Sequence, residues 1–166
     1  MANVLNVYDS FYGNTKEVAL SIGRTLSEKH TVITMEAAGV TDDLIIKADV
    51  FIIGSPIHYW RPSQKIAVLL LRLQRNRVRG RIGICYDTRL EKMMAGNAVS
   101  KIARVFSSLH FITMLGKGEY FFVETSKGPL KLGEVSKAER FADRILSFIE
   151  GAAKDATQAP GFSLHA

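Results

Sequence analysis

Two kinds of stretch alternate along the chain. "NVLNVY" (3–8), "TVITM" (31–35), "DVFIIG" (49–54), "RIGICY" (81–86) and "HFITML" (110–115) are short and rich in Val, Ile and aromatic residues, as strands buried on both faces are. Between them, apolar residues recur at helical spacing. Val18, Ile22 and Leu26 predict a helix over 14–28, with Asn14 as its cap and Glu17 as the cap's partner. Ser63 caps a second helix over 63–76 with an inner face of Ile66, Leu69, Leu70 and Leu73. A third runs over 97–108. A fourth starts at Ser136, where "SKAE" reads as a capping box before Ala138, Phe141, Ala142, Ile145, Phe148 and Ile149. "TDDLIIK" (41–47) predicts one short helical turn.

Each parallel crossover needs a connecting element, so this alternation predicts a parallel sheet covered on both sides, a three-layer α/β/α sandwich. The segment 116–135 departs from the scheme: "YFFVE" continues or accompanies the fifth strand, and "KGPLKLG" is a loop. The 166 residues suit one domain, expected over 1–150. Residues 151–166 carry no periodicity and are expected to form a flexible tail.

Apolar residues at 47% and charged residues at 23% exclude a disordered chain. The longest strongly apolar stretch, Ala67 to Leu71, falls far short of the roughly 18 residues of a membrane span. The start "MANVLNVYDS" has no basic region leading into a signal-peptide core, so a cytoplasmic protein is expected. Cys85 is the single cysteine, which excludes an internal disulfide and a multi-cysteine metal site. Its apolar surroundings read as those of a buried structural thiol, and no metal is expected. The excess of 22 Lys and Arg over 16 Asp and Glu, +6, suits an acidic partner, a membrane surface or a nucleic acid, and serves solubility as well. "RLQRNRVRGR" (72–81) straddles a helix end, where cations are favourable without any ligand, and no nucleic-acid partner is expected.

"YDSFYGNT" (8–15) follows the first strand and opens the first helix, the place where doubly wound sheets hold ligands. Ser10, Tyr12 and Thr15 supply hydroxyls, Asn14 an amide and Gly13 a tight turn, with Phe11 among them. The helix N-terminus adds free N–H groups. Together they make a phosphate cradle that needs no lysine, or else a capped turn without a ligand. No GxxxxGK[ST] is present, and Gly13 alone cannot make a GxGxxG turn.

"SFYGNT" resembles the flavodoxin phosphate loop: Ser10, Tyr12, Gly13, Asn14 and Thr15 match in order, with Tyr12 where Ser or Thr is usual. The resemblance continues through "KEVALSIGRTL", "ADVFIIGSPIHYWRP" and "GPLKLGEVSKAERFADRI", covering roughly 3–150. It implies a five-stranded parallel sheet of order 2-1-3-4-5 and noncovalent FMN, its phosphate held by Ser10, Phe11, Tyr12, Gly13, Asn14 and Thr15. It further implies electron transfer with a redox partner protein.

By the same resemblance, "GSPIHYWRPS" (54–63) is the first ring-contacting loop, with Ser55, Pro56, Ile57, His58, Tyr59 and Trp60 against the flavin. Tyr59 and Trp60 offer flat apolar faces, although Trp60 can equally cover the helix below. His58 donates to reduced flavin, relays a proton, or caps backbone at the surface. Arg61 offsets an anionic cofactor or is simply solvated.

The loop "DTRLEKMMAGNA" (87–98) departs from an ordinary flavodoxin, which carries an aromatic there. Tyr86, or Met93 and Met94, are the candidates to cover the ring instead. "YDTR" resembles flavodoxin-like proteins in which Asp-Thr-Arg ends the fourth strand and a late "GPLKxGE" follows. Asp87, Thr88 and Arg89 bind the flavin pyrimidine edge or a substrate, or else form a local ion pair and loop cap.

An electron carrier is the leading reading, and because the chain is basic its partner is expected to present an acidic face. The alternatives are an FMN-dependent oxidoreductase, such as a quinone reductase or protoporphyrinogen oxidase, and an interaction module without flavin. No NAD(P) motif and no catalytic residue are identified. A receiver domain is disfavoured, because Asp9 lacks the paired acid that would hold a metal ion.

Overall fold

In the computed structural model, which describes residues 1–92, 96–113 and 118–158, strand β1 (Asn3–Tyr8) lies inside the sheet. It pairs in parallel with β2 (Thr31–Glu36) on one side and β3 (Val50–His58) on the other, Val4 standing opposite Val32 and Val50. A two-residue strand β4 (Arg61–Pro62) folds back on the end of β3 as a hairpin. Beyond β3 lies β5 (Ile82–Leu90), also parallel. The outermost position is shared by β6 (Ile112–Thr113) at the start of β5 and β7 (Glu119–Val123) at its end. Counted by position, this is the expected parallel order 2-1-3-4-5, with β5 fourth and the fifth position split between two pieces.

Side-chain alternation along each strand divides the interior into two cores. Leu5, Val7, Phe51 and Ile53 face α3 (Gln64–Arg75) and α4 (Ala98–Ser108), together with the short α2 (Asp42–Lys47). Val4, Tyr8, Val50 and Ile52 face α1 (Asn14–Leu26) and α5 (Glu134–Gln158). The expected inner face of α3, Ile66, Leu69, Leu70 and Leu73, is buried in the first core, each side chain contributing about 1.5–3 kcal/mol. Ser63 caps this helix as expected, its hydroxyl accepting from the Ile66 N–H at 3.4 Å. Among the described residues no helix is long and apolar enough to cross a membrane.

Four boundaries differ from the pattern. β3 and β5 run on through "SPIH" and "DTRL", because the two strands keep pairing through Ser55–Asp87 and Pro56–Thr88 while β7 flanks β5 on its other side. The segments read as loops are therefore strand ends. "YFFV" forms the second piece of the fifth position. Helix α5 starts at Glu134 rather than Ser136, since the Glu134 carboxylate accepts from the Phe122 N–H at 3.0 Å and fixes the first turn against β7. It continues through Gln158, so residues 151–158 of the expected flexible tail are helical, and residues 159–166 lie outside the described ones.

Candidate functional site: a cleft at the carboxyl ends of the strands

The turn after β1 is closed by Ser10, not by Asn14. The Ser10 hydroxyl accepts from the N–H groups of Gly13 (3.0 Å) and Lys16 (3.3 Å), while Gly13 takes a left-handed φ of 89° that an L side chain resists. Asn14, expected as the cap, instead donates its amide to the Lys127 carbonyl at 3.2 Å and ties the loop after β7 to the start of α1. The backbone N–H groups of Phe11, Tyr12, Asn14 and Thr15 meet no acceptor among the described residues. At the positive end of a 13-residue helix, such donors suit an anion.

Ser55 is buried at the end of β3, accepting from the Ser63 N–H (2.9 Å) and donating to the Pro56 carbonyl (2.8 Å). The expected loop beyond it is a tight hairpin in which Ile57 pairs with Pro62 and His58 with Arg61. Its two turn residues, Tyr59 and Trp60, both have positive φ (47° and 61°), as a two-residue hairpin requires, although neither is the Asn or Gly that adopts this readily. They stand at the rim, 77% and 61% exposed, and neither lines the cleft. The His58 ring lies 5.1 Å from Phe11 and 4.5 Å from Tyr59, so a row of rings borders the opening. The backbone of Trp60 packs on Gly96, where an added Cβ would come within 2.4 Å of the Trp60 Cα.

On β5, alternation sends successive side chains to opposite sides. Thr88 points toward α1 and shares a buried hydroxyl–hydroxyl bond of 2.7 Å with Thr15. Asp87 points the other way and is fully buried; its carboxylate accepts from the Ala98 and Val99 N–H groups, both at 3.2 Å, capping α4. It also accepts from Arg89 through Nε (2.6 Å) and Nη2 (2.5 Å). The Arg89 guanidinium in turn lies 3.7 Å over the Tyr120 ring. Burial pushes the Asp87 carboxyl up from its ordinary value, and the Arg89 hydrogen bonds, the Arg89 charge and the α4 N–H groups oppose that shift. Of the two readings of Asp87, the structure shows the ion pair and cap: its oxygens are occupied and it does not reach the cleft.

These elements enclose a cleft of about 560 Å3. It is lined by Ser10, Phe11, Tyr12, Asn14, Thr15, Pro56, Ile57, His58, Thr88 and Arg89, so the first loop, the end of β3 and the end of β5 converge as expected. Gly13 and Ser55 act from behind as turn and brace, whereas Tyr59, Trp60 and Asp87 do not line it. Tyr86 is excluded as a ring cover, since it is buried in the core edge-on to Phe121. Met93 and Met94 lie outside the described residues. The lining also includes Leu90, Val123 and Ser126, which motif reading missed. A signal existed: "ETSKG" is a polar turn directly after a strand, the same context that marks the first loop.

No family profile and no curated protein sequence matches the chain. Solved structures do. A flavodoxin from the domain Archaea is 20% identical with a TM-score of 0.75, over 90% of this chain and 99% of that one. Oxidised flavodoxin 1 from Bacillus cereus is 14% identical with a TM-score of 0.76, over 88% and 98%. The rubredoxin oxygen:oxidoreductase of the anaerobe Desulfovibrio gigas is 19% identical with a TM-score of 0.74; the match covers 90% of this chain but 36% of that one, so this chain corresponds to about a third of its length. Strand order, layers and these likenesses agree: the chain has the flavodoxin-like fold.

Proposed function

We propose that this protein binds FMN noncovalently in the cleft and takes part in electron transfer with a redox partner protein, as a cytoplasmic carrier built on the domain over 1–150. The observation that carries the reading is the convergence on one opening of the Ser10–Thr15 turn, with its unengaged N–H groups, and the ends of β3 and β5. Its volume of about 560 Å3 falls within the range of about 300–1,000 Å3 usual for cofactor sites.

In this reading the residues divide the work. The N–H groups of the first turn, with the hydroxyls of Tyr12 and Thr15, hold the phosphate, while Ser10 and Gly13 keep the turn in shape. Pro56, Ile57 and His58 flank the ring, and Thr88 steadies Thr15 from below. Trp60 is assigned the covering of the ring's open face. What supports this is its exposure together with a strained backbone, a combination that collects at functional sites. When bound, the flavin supplies the redox chemistry, and the chain supplies orientation, hydrogen bonding and exclusion of water.

Charge placement bears on the partner. Arg75, Arg77 and Arg79 sit between the end of α3 and the start of β5, at the end of the sheet opposite the cleft. An acidic partner steered by the net charge of +6 is therefore drawn to that end.

The experiment is a fluorescence titration of FMN with purified protein. Quenched, spectrally shifted flavin is expected; free-flavin emission at saturating protein would reject the reading. If flavin binds, the absence of steady turnover with NAD(P)H and quinones separates a carrier from an oxidoreductase.

A further inference from the structure

The pair Asp87–Arg89 does more than neutralise itself. The carboxylate is held at depth by two α4 N–H groups, and the guanidinium stands between it and the cleft. Three restraints fix that guanidinium: two hydrogen bonds to Asp87 along one edge and the Tyr120 ring under its face. Its side chain is only 13% exposed, and that exposure opens on the cleft. The bonds to Asp87 use Nε and one N–H of Nη2, so the Nη1 end of the fork has no acceptor among the described residues. Because Thr88 bonds Thr15 and Arg89 is the next residue, Arg89 lies on the side of β5 away from the phosphate turn. A ligand anchored by its phosphate at Ser10–Thr15 and spanning the cleft therefore presents its other end to Arg89.

We propose that Arg89 makes this end of the cleft prefer negative charge, so that the protein holds two-electron-reduced FMN more tightly than oxidised FMN and raises the potential of the bound couple. The proposal rests on the FMN reading above. Reduction brings two electrons from the redox partner and one proton from water to the ring, which at neutral pH keeps one negative charge. Arg89 faces that charge with preoriented donors in a site of low dielectric, where such contacts are strong. Asp87 does not cancel the effect, because it lies deeper and its charge is shared with the N-terminus of α4.

The test is the midpoint potential of bound FMN, measured by dithionite reduction against a reference dye. Wild type is compared with Arg89→Gln and with Asp87→Asn/Arg89→Gln, which removes both charges and leaves no unpaired carboxylate. Circular dichroism and FMN uptake establish that each is folded and loaded. Both variants are expected to lose at least tenfold in their preference for reduced over oxidised FMN, a fall of about 30 mV for a two-electron couple. A folded, FMN-loaded double variant with the wild-type potential overturns the role of Arg89. Wild-type protein that takes up no FMN overturns the underlying reading instead.

Discussion

Thr15 at the start of α1 and Thr88 near the end of β5 share a buried hydroxyl–hydroxyl bond of 2.7 Å across 73 positions of sequence, and both border the cleft. The bond ties the turn after β1 to a strand two positions away in the sheet, across β3. Replacing either residue by Val leaves the other buried hydroxyl without its partner, a loss of about 1–3 kcal/mol. Replacing both removes donor and acceptor together, so the double variant is expected to recover most of that loss in urea unfolding. Thr15→Val is also expected to weaken FMN more than riboflavin, because only FMN carries the phosphate; equal weakening would contradict the assigned contact.

Asp87 and Arg89 form the most buried ion pair in the site. Removing one partner leaves a charge without compensation, so Asp87→Asn and Arg89→Gln should each cost about 3–5 kcal/mol. Their effects should be far from additive, since the double variant carries no stranded charge. A double-mutant cycle on unfolding free energies measures this directly. Additive losses would mean that Asp87 acts only as the cap of α4.

The first turn was legible because every signal for it is local. A run of apolar residues ends, and hydroxyls, an amide and a glycine follow before a helical pattern. The far end of the cleft was not legible, because Gly-Ser-Pro and Asp-Thr-Arg have little strand propensity and read as loop. Their strand conformation comes from pairing with each other and with β7, which is tertiary information. The capping errors share that cause. Asn14 is already the first residue of α1, with Gly13 in the left-handed region at the cap position, so the N–H groups of Gly13 and Lys16 are met by Ser10, while the Asn14 amide donates to the Lys127 carbonyl of a distant loop. Tyr120 beneath Arg89 was invisible for the same reason: only the split fifth strand brings it beside β5.

The hairpin turn at Tyr59 and Trp60 holds two bulky residues in a backbone region that costs about 1–2 kcal/mol per residue for side chains other than Gly, Asn or Asp. Tyr59→Asn with Trp60→Gly supplies the preferred turn sequence and should stabilise the protein by about 1 kcal/mol, seen as about 2–4 °C in the melting temperature. The same change should weaken FMN several-fold, because it removes the aromatic cover at the rim. A variant that melts higher and binds FMN as well as wild type would show that Trp60 serves another contact.

Cys85 is the chain's single thiol, and its burial makes a testable statement about its reactivity. The thiol is buried on β5, with Val99 as its acceptor at 3.7 Å, and burial, followed by the nearby Asp87 charge, pushes it up to about 12. It is therefore a neutral thiol at physiological pH and a poor nucleophile. Native protein should resist a disulfide exchange reagent at about pH 8, with labelling in urea following unfolding. The sign of the linkage follows from the proton count. Between the ordinary thiol value of 9.0 and about 12 the folded state keeps a proton that the unfolded state has lost, so this group's stabilisation falls as pH rises through that window. Cys85→Val lacks the titration and should lose less stability than wild type between about pH 8 and about pH 10. Rapid labelling of the native protein would show a reactive thiol on β5 and contradict its burial; slow labelling, matched to unfolding, is the expected outcome.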